Sequence, residues 1–392
     1  MAGARNASSL LLIFLALVGL TVVWRDLRYD FSFANDMRKA ELARRTTSVT
    51  ATITSTAMQT QTAMVTEVVR IPREVPASDR TSAAFVILTR NRDLDDLRET
   101  LIQLEDRFNR RYHYPYVFLN NDPFSDEFKE KIANVVTGEC HFGLIPHEHW
   151  SYPDYINQTK AAEVREDMKL RKVIYGDNES YRHMCRYESG FFFRHPLMDQ
   201  FKWYWRVEPG VKFGCEIDYD PFKYMETNNK KYGFTISIRE VVETIPTLWN
   251  TTLDFMNKNK DMIPATNLMD FVTGKDGGYN LCHFWSNFEI GSLDFLRSKE
   301  YLAYFDHLDR AGGFFYERWG DAPVHSLGVA MLLNKNQVHW FEDIGYYHGP
   351  LWNCPKGKAN AKCWCPEKES VETRNKGWSC TLDFVALPEP NV

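Results

Sequence analysis

Residues 83–119 constrain the fold more tightly than any other stretch. Ala83–Leu88 (AAFVIL) is a short apolar run of buried-strand length, and the polar Thr89-Arg90-Asn91-Arg92 follows it. Over 93–108 the apolar residues fall at Leu94, Leu97, Leu101, Leu104 and Phe108, which is helical spacing. Residues 116–119 (YVFL) form a second buried run, ending in Asn120-Asn121-Asp122-Pro123. Strand, helix, strand with a polar loop after each strand is a βαβ unit. Such units build parallel sheets with helices on the faces, so the fold class is α/β and ligands are expected at the carboxyl ends of the strands. Arg90 and Asn91 stand at that position. Further strands are expected at 203–207, 233–238 and 338–341, and helical patterns recur at 164–173, 238–249, 293–305 and 322–333. There is no internal repeat.

The rest of the chain divides by composition. Residues 10–24 (LLLIFLALVGLTVVW) carry no charge and end in bulky residues rather than a cleavage site, so they read as an uncleaved signal-anchor behind a cytoplasmic tail, 1–9. Residues 46–66 are mostly Thr, Ser and Ala with no aromatic residue, a composition that builds no core, and 25–81 therefore reads as a stem. Aromatic residues become frequent after Thr81 and every Cys lies beyond it, which places the globular, lumenal unit at 82–392. With 47 basic and 52 acidic residues the net charge is −5, against a nucleic-acid partner. All eight Cys lie in the globular unit, and an even count beyond an anchor implies disulfides without fixing their pairing. Cys354, Cys363, Cys365 and Cys380 could also hold zinc, but C-x-C is not zinc-ribbon spacing and an oxidising compartment favours disulfides. Asn157-Gln-Thr159, Asn178-Glu-Ser180 and Asn250-Thr-Thr252 are glycosylation acceptors that agree with a lumenal location.

Several segments carry candidate chemistry. Glu208-Pro209-Gly210 directly follows the strand at 203–207, where a carboxylate is well placed to hold a metal or a substrate. Asp218-Tyr219-Asp220 has the D-x-D spacing of a cation site, a weak signal, and Asp93-Leu94-Asp95 reads as a helix cap. Glu289 is set among Phe284, Trp285 and Phe288, surroundings that raise a carboxyl pKa or demand a partner and that suit sugar chemistry. Residues 312–326 bring Glu317, Arg318, Asp321 and His325 into a Gly- and aromatic-rich loop that opens a helix, where Asp321 could be an N-cap. Asp343 and His348 lie in a polar, aromatic loop after a strand.

At these residues the sequence resembles the fungal α-1,2-mannosyltransferase family, Golgi type II glycosyltransferases that extend O- and N-linked mannose chains. The segments that carry the resemblance are 112–124, Ser180-Tyr-Arg-His-Met-Cys-Arg186, Trp205-Arg-Val-Glu-Pro209, 279–289, Arg318-Trp-Gly-Asp-Ala-Pro-Val-His325 and Gly345-Tyr-Tyr-His348. They stand in the family's order and span nearly all of 82–392. The resemblance implies a GT-A-like fold with a mixed central sheet. It also implies transfer of mannose from GDP-mannose to a mannoside 2-hydroxyl with retention, aided by Mn²⁺, with a mannosylated glycan or glycoprotein as acceptor. Glu208 and His348 are then the implied metal ligands, Glu289 the catalytic carboxylate, and Asp321 the group for acceptor binding or base work. Arg90, Tyr181 and Arg206 are implied to hold the donor, and Golgi membrane attachment follows from the same resemblance. Gly210 and Asn121 depart from the family pattern at positions assigned no chemistry. An anchored glycoside hydrolase or a carbohydrate-binding ectodomain would share the carboxylates and aromatics, and these are the competing classes.

Overall fold

The computed structural model describes residues 75–389, so the expected tail, anchor and most of the stem lie outside the described residues. Among the described residues no helix is long and apolar enough to cross a membrane. The body takes in residues before Thr81: the Val75 amide donates to the Arg111 carbonyl, and the Arg80 guanidinium donates to the carbonyls of Tyr112 and His113.

The described residues form twelve strands: β1 (Ala83–Leu88), β2 (Tyr116–Asn120), β3 (Cys140–Leu144), β4 (Trp203–Arg206), β5 (Lys212–Phe213), β6 (Tyr232–Phe234), β7 (Ser237–Arg239), β8 (Cys282–Phe284), β9 (Glu289–Ser292), β10 (Val338–Trp340), β11 (Tyr346–His348) and β12 (Leu351–Asn353). Seven of them form the central sheet in the order β10-β6-β9-β4-β1-β2-β3. β1 pairs in parallel with both β2 and β4, whereas β9 runs antiparallel to β4 and β6, so the sheet is mixed as expected. The chain leaves β1 toward β2 and β3, then returns to β1's other side as β4. This makes the carboxyl ends of β1 and β4 the topological switch point of the sheet.

Both faces of the sheet are covered, which is why its strands read as apolar runs rather than alternating ones. Phe85, Ile87, Trp203 and Trp205 point into one core, with Leu97, Leu101 and Leu104 of the helix Leu94–Arg107. Ala84, Val86 and Tyr204 point into the other, against residues of the helices Lys299–Ala311 and Asp321–Leu332. Every residue of Asp321–Leu332 is buried, the pattern of a helix enclosed by protein on all sides.

Several sequence expectations change. The strand at 233–238 is two, β6 in the central sheet and β7 paired with β8 in a separate ribbon. The helix expected at 238–249 is absent. Pro246 cannot sit inside a helix, and the real one, Leu248–Lys258, starts just after it. The pattern at 293–305 is also two helices, Leu293–Leu296 and Lys299–Ala311, the second capped by the Ser298 hydroxyl accepting from the Tyr301 amide.

Not all eight Cys are paired. The disulfides are Cys215–Cys363, Cys282–Cys380 and Cys354–Cys365, while Cys140 and Cys185 are free. Cys140 sits on the edge strand β3, and Cys185 is fully buried in the helix Glu179–Gly190. All four Cys considered for zinc are consumed by disulfides. Replacing Cys282 and Cys380 together by Ser should cost roughly 3–5 kcal/mol in urea denaturation, the scale for releasing so long a loop. Cys140→Ser should leave the midpoint unchanged.

Candidate active site

A cavity of about 250 Å³ opens at the switch point. Its lining includes Thr89, Arg90 and Asp93 after β1, Asn120 after β2, Ser180 and Tyr181 from the helix Glu179–Gly190, and Arg206, Glu208 and Pro209 at the end of β4. Thr89 Oγ1 and Asn120 Nδ2 are buried there without a protein partner. Such orphaned polar atoms facing a cavity are fitted to hydrogen-bond a ligand.

All three residues expected at the donor line this cavity. Arg90 Nη2 donates to the Ser180 hydroxyl, and its amide donates to Asp93 Oδ2 at 3.0 Å. Asn91 does not line the cavity. Its side chain bonds the Pro123 carbonyl and the Ser125 amide, which pins the loop after β2. The Tyr181 ring lies 4.6 Å from the Tyr175 ring and 5.2 Å from the Arg318 guanidinium.

Arg206 organises the floor of the cavity. Its Nη1 is 2.5 Å from Asp321 Oδ2 and 3.9 Å from Glu188 Oε2, and its Nη2 is 2.7 Å from Glu208 Oε1. Burial works against the charged guanidinium, but Glu188, Asp321, Glu208 and Glu289 together outweigh it and hold Arg206 charged. The turn after Glu208 needs Gly210 at φ +81°, a conformation that glycine adopts without strain. Beyond that turn β5 pairs with β11, which carries His348 back to Glu208. His348 Nε2 stands 3.3 Å from Glu208 Oε2. Burial raises the Glu208 carboxyl, and Arg206 and His348 more than reverse this. A carboxylate oxygen beside an imidazole nitrogen is a donor set suited to a divalent cation.

Glu289 and Asp321 are not among the residues that line the cavity. Because β9 is antiparallel, its first residue, Glu289, pairs with Arg206, the last residue of β4. Glu289 is 0% exposed; its Oε2 accepts from the Tyr232 hydroxyl at 2.8 Å and lies 3.0 Å from His325 Nδ1, while its Oε1 is buried without a partner. Gly291, two residues along, leaves room for the Tyr204 ring, which a Cβ there would meet at 2.5 Å.

Asp321 is not the N-cap that the sequence allowed. Gly320 takes that place, and Asp321 opens the helix with Oδ2 held by Arg206 and, at 2.6 Å, by the Ser286 hydroxyl. Burial would raise its carboxyl, but Arg206, His325 and Ser286 bring it to about 2. A depressed carboxyl stabilises the fold above its unfolded value of 3.8, and that stability is lost as pH falls toward about 2. Asp321→Asn should therefore cost about 3 kcal/mol near neutrality, by leaving Arg206 under-paired. It should also flatten the acid limb of a denaturation series run from pH 5 to pH 2.5.

The D-x-D triplet is structural. Asp220 caps the helix Pro221–Thr227 and accepts from the Tyr114 hydroxyl at 2.6 Å, and Asp218 pairs with Lys362. Glu188 is the residue that sequence reading missed. It is 2% exposed, and burial, with Asp321, Glu289 and Glu208 adding to it and Arg206 opposing, raises it to about 7. The signal was available: Tyr181, Cys185 and Glu188 follow helical spacing, so they share one face of their helix.

The family described as glycolipid 2-alpha-mannosyltransferase matches residues 34–389. The glycolipid 2-alpha-mannosyltransferase 1 of Candida albicans is 54% identical over 321 residues, 81% of this chain and 74% of that protein. The alpha-1,2 mannosyltransferase KTR1 of Saccharomyces cerevisiae is 54% identical over 318 residues, 79% of this chain and 80% of that protein. Among solved structures, core-mannan synthase A of Aspergillus fumigatus in its Mn/GDP form aligns with TM-score 0.75 and 42% identity, over 79% of this chain and 86% of that chain. The mannosyltransferase Ktr4p of S. cerevisiae in complex with GDP aligns with TM-score 0.76 and 37% identity, over 81% and 85%. With a mixed α/β sheet, a cavity at its switch point and this similarity across nearly all of the described residues, the chain belongs to the glycolipid 2-alpha-mannosyltransferase family.

Proposed function

We propose that this protein transfers mannose from GDP-mannose to the 2-hydroxyl of a mannoside, with retention, using Mn²⁺. The observation that carries the reading is the cavity at the carboxyl ends of β1 and β4, where Arg90, Tyr181 and Arg206 meet the Glu208–His348 pair. Its family membership and the Mn/GDP form of a related mannosyltransferase support the same reading.

Glu208 Oε2 and His348 Nε2 are the atoms assigned to hold the cation, which when bound supplies positive charge for the departing diphosphate. Arg90 adds charge at the mouth of the cavity, where a net charge of −5 gives no general attraction for the anionic donor. Glu289 is assigned to the anomeric centre, where its negative charge stabilises oxocarbenium character and its unpartnered Oε1 is the atom free to act. Asp321 is assigned to holding Arg206 rather than to base work, because a carboxyl at about 2 is a poor proton acceptor. Residues 10–24 are assigned as a type II anchor in the Golgi membrane, with the catalytic body lumenal.

Incubation with GDP-mannose, Mn²⁺ and α-methyl mannoside should give an α-1,2-linked disaccharide and an equal amount of GDP, and nothing without the metal. Metal-independent hydrolysis of an aryl mannoside, or sugar binding without turnover, would overturn the reading.

A further inference from the structure

His325 belongs to the acid- and aromatic-rich segment at 312–326, and none of the roles above uses it. It is 1% exposed, in the second turn of the buried helix Asp321–Leu332. Both ring nitrogens have partners: Nε2 lies 3.1 Å from the main-chain carbonyl of Glu188, and Nδ1 lies 3.0 Å from Glu289 Oε2.

The chemistry of those partners restricts the proton count. A carbonyl oxygen only accepts, so Nε2 carries a hydrogen. A neutral ring would then turn the lone pair of Nδ1 toward a carboxylate oxygen, two acceptors in contact, so one further proton must lie between them. The Tyr232 hydroxyl also donates to Glu289 Oε2, at 2.8 Å. Around the ring stand Glu289 from β9, Asp321 from the same helix, Arg206 from β4 and, with ring centroids 6.2 Å apart, Tyr301 from Lys299–Ala311. Burial lowers the imidazole's proton affinity, but Glu289 and then Asp321 outweigh both burial and Arg206, so it is held above its ordinary value.

We propose that His325 is a positioning residue of the transfer reaction: an imidazolium that donates from Nε2 to the Glu188 carbonyl and from Nδ1 to Glu289 Oε2, fixing that buried carboxylate in one orientation. Two donors fix Oε2, which leaves Oε1, buried without a hydrogen-bond partner, as the oxygen of Glu289 that this pair does not hold. The proposal rests on the reading of Glu289 as the carboxylate that acts at the anomeric centre. A raised imidazole keeps its proton to a higher pH than a free one and loses it as pH rises through its folded value. The pair therefore contributes an alkaline limb to kcat.

The test uses the intact enzyme with GDP-mannose, Mn²⁺ and α-methyl mannoside. His325→Gln should lower kcat at least about tenfold, abolish the alkaline limb, and leave GDP affinity within about twofold. In a Glu289→Gln background the same change should have little further effect, because the partner charge is gone. ¹⁵N NMR of the wild-type ring should show both nitrogens protonated at neutral pH, a signal that decides the matter even if the variant fails to fold. A neutral ring in that spectrum, or His325→Gln with unchanged kcat and pH profile while Glu289→Gln is inactive, would overturn the proposal and spare the assignment of Glu289. An active Glu289→Gln enzyme would instead remove the assignment itself.

Discussion

Glu289→Gln is expected to lower mannosyl transfer by at least about 10³-fold, the scale for losing a group that acts only in the transition state, while GDP binding stays near wild type. The separation follows from position. Glu289 pairs across strands with Arg206, is bonded to Tyr232 and stands beside His325, and it is absent from the cavity's lining. Gln is nearly the same size and keeps one oxygen, so packing survives, whereas the negative charge assigned to the anomeric centre does not. Isothermal titration with GDP and a kcat measurement on one preparation separate the two effects. Full activity would exclude Glu289, and lost GDP binding would mean that the substitution disturbs the site as a whole. Two chemical paths share this carboxylate. In a double displacement Oε1 forms a bond to the anomeric carbon as the diphosphate leaves, and the acceptor hydroxyl then breaks that bond. In a front-face path no bond to Oε1 forms. A fluorinated donor that slows the second step would leave a mannosyl adduct on Glu289 in the first case only.

Glu208→Ala is expected to raise the Mn²⁺ concentration for half-activity at least about tenfold and to weaken GDP binding with it, because one residue serves both. Glu208 Oε2 faces His348 while Oε1 accepts from Arg206, so the substitution removes an atom assigned to the cation and frees a guanidinium that lines the cavity. His348→Ala removes only the first of these and should shift the metal titration with a smaller effect on GDP measured without metal. Identical metal titrations for the wild type and both variants would refute the metal site.

Much of this arrangement was legible before any fold was in hand. Arg90 could be placed because a buried strand, a polar loop and a helix in succession put that loop at the ligand-binding end of a parallel sheet. Glu208 could be placed because it follows an apolar strand and precedes a Pro-Gly turn. The D-x-D triplet misleads only in isolation, since Asp220-Pro221 is equally a helix start, and this is its use here. The helix expected at 238–249 fails because its apolar spacing runs through Pro246, where an absent backbone N–H outweighs periodicity. Glu188 was missed although its helical spacing was present, because an acid beside aromatic residues gives no sign of which neighbours will hold its charge.

Sequence alone pointed to the α/β class, the parallel βαβ start of the sheet, and the candidate residues other than Glu188. These depend on short-range pattern, which reports whether a side chain is buried and on which face of its element. Tertiary structure decided which of those residues meet. Arg206, Asp321 and Glu289 are joined only because β9 enters antiparallel beside β4, Glu208 and His348 only because β11 pairs back on β5, and two of eight Cys stay free because of where their elements lie. Such meetings depend on strand order and register across roughly 80 to 140 residues of intervening chain, and no local spacing encodes them.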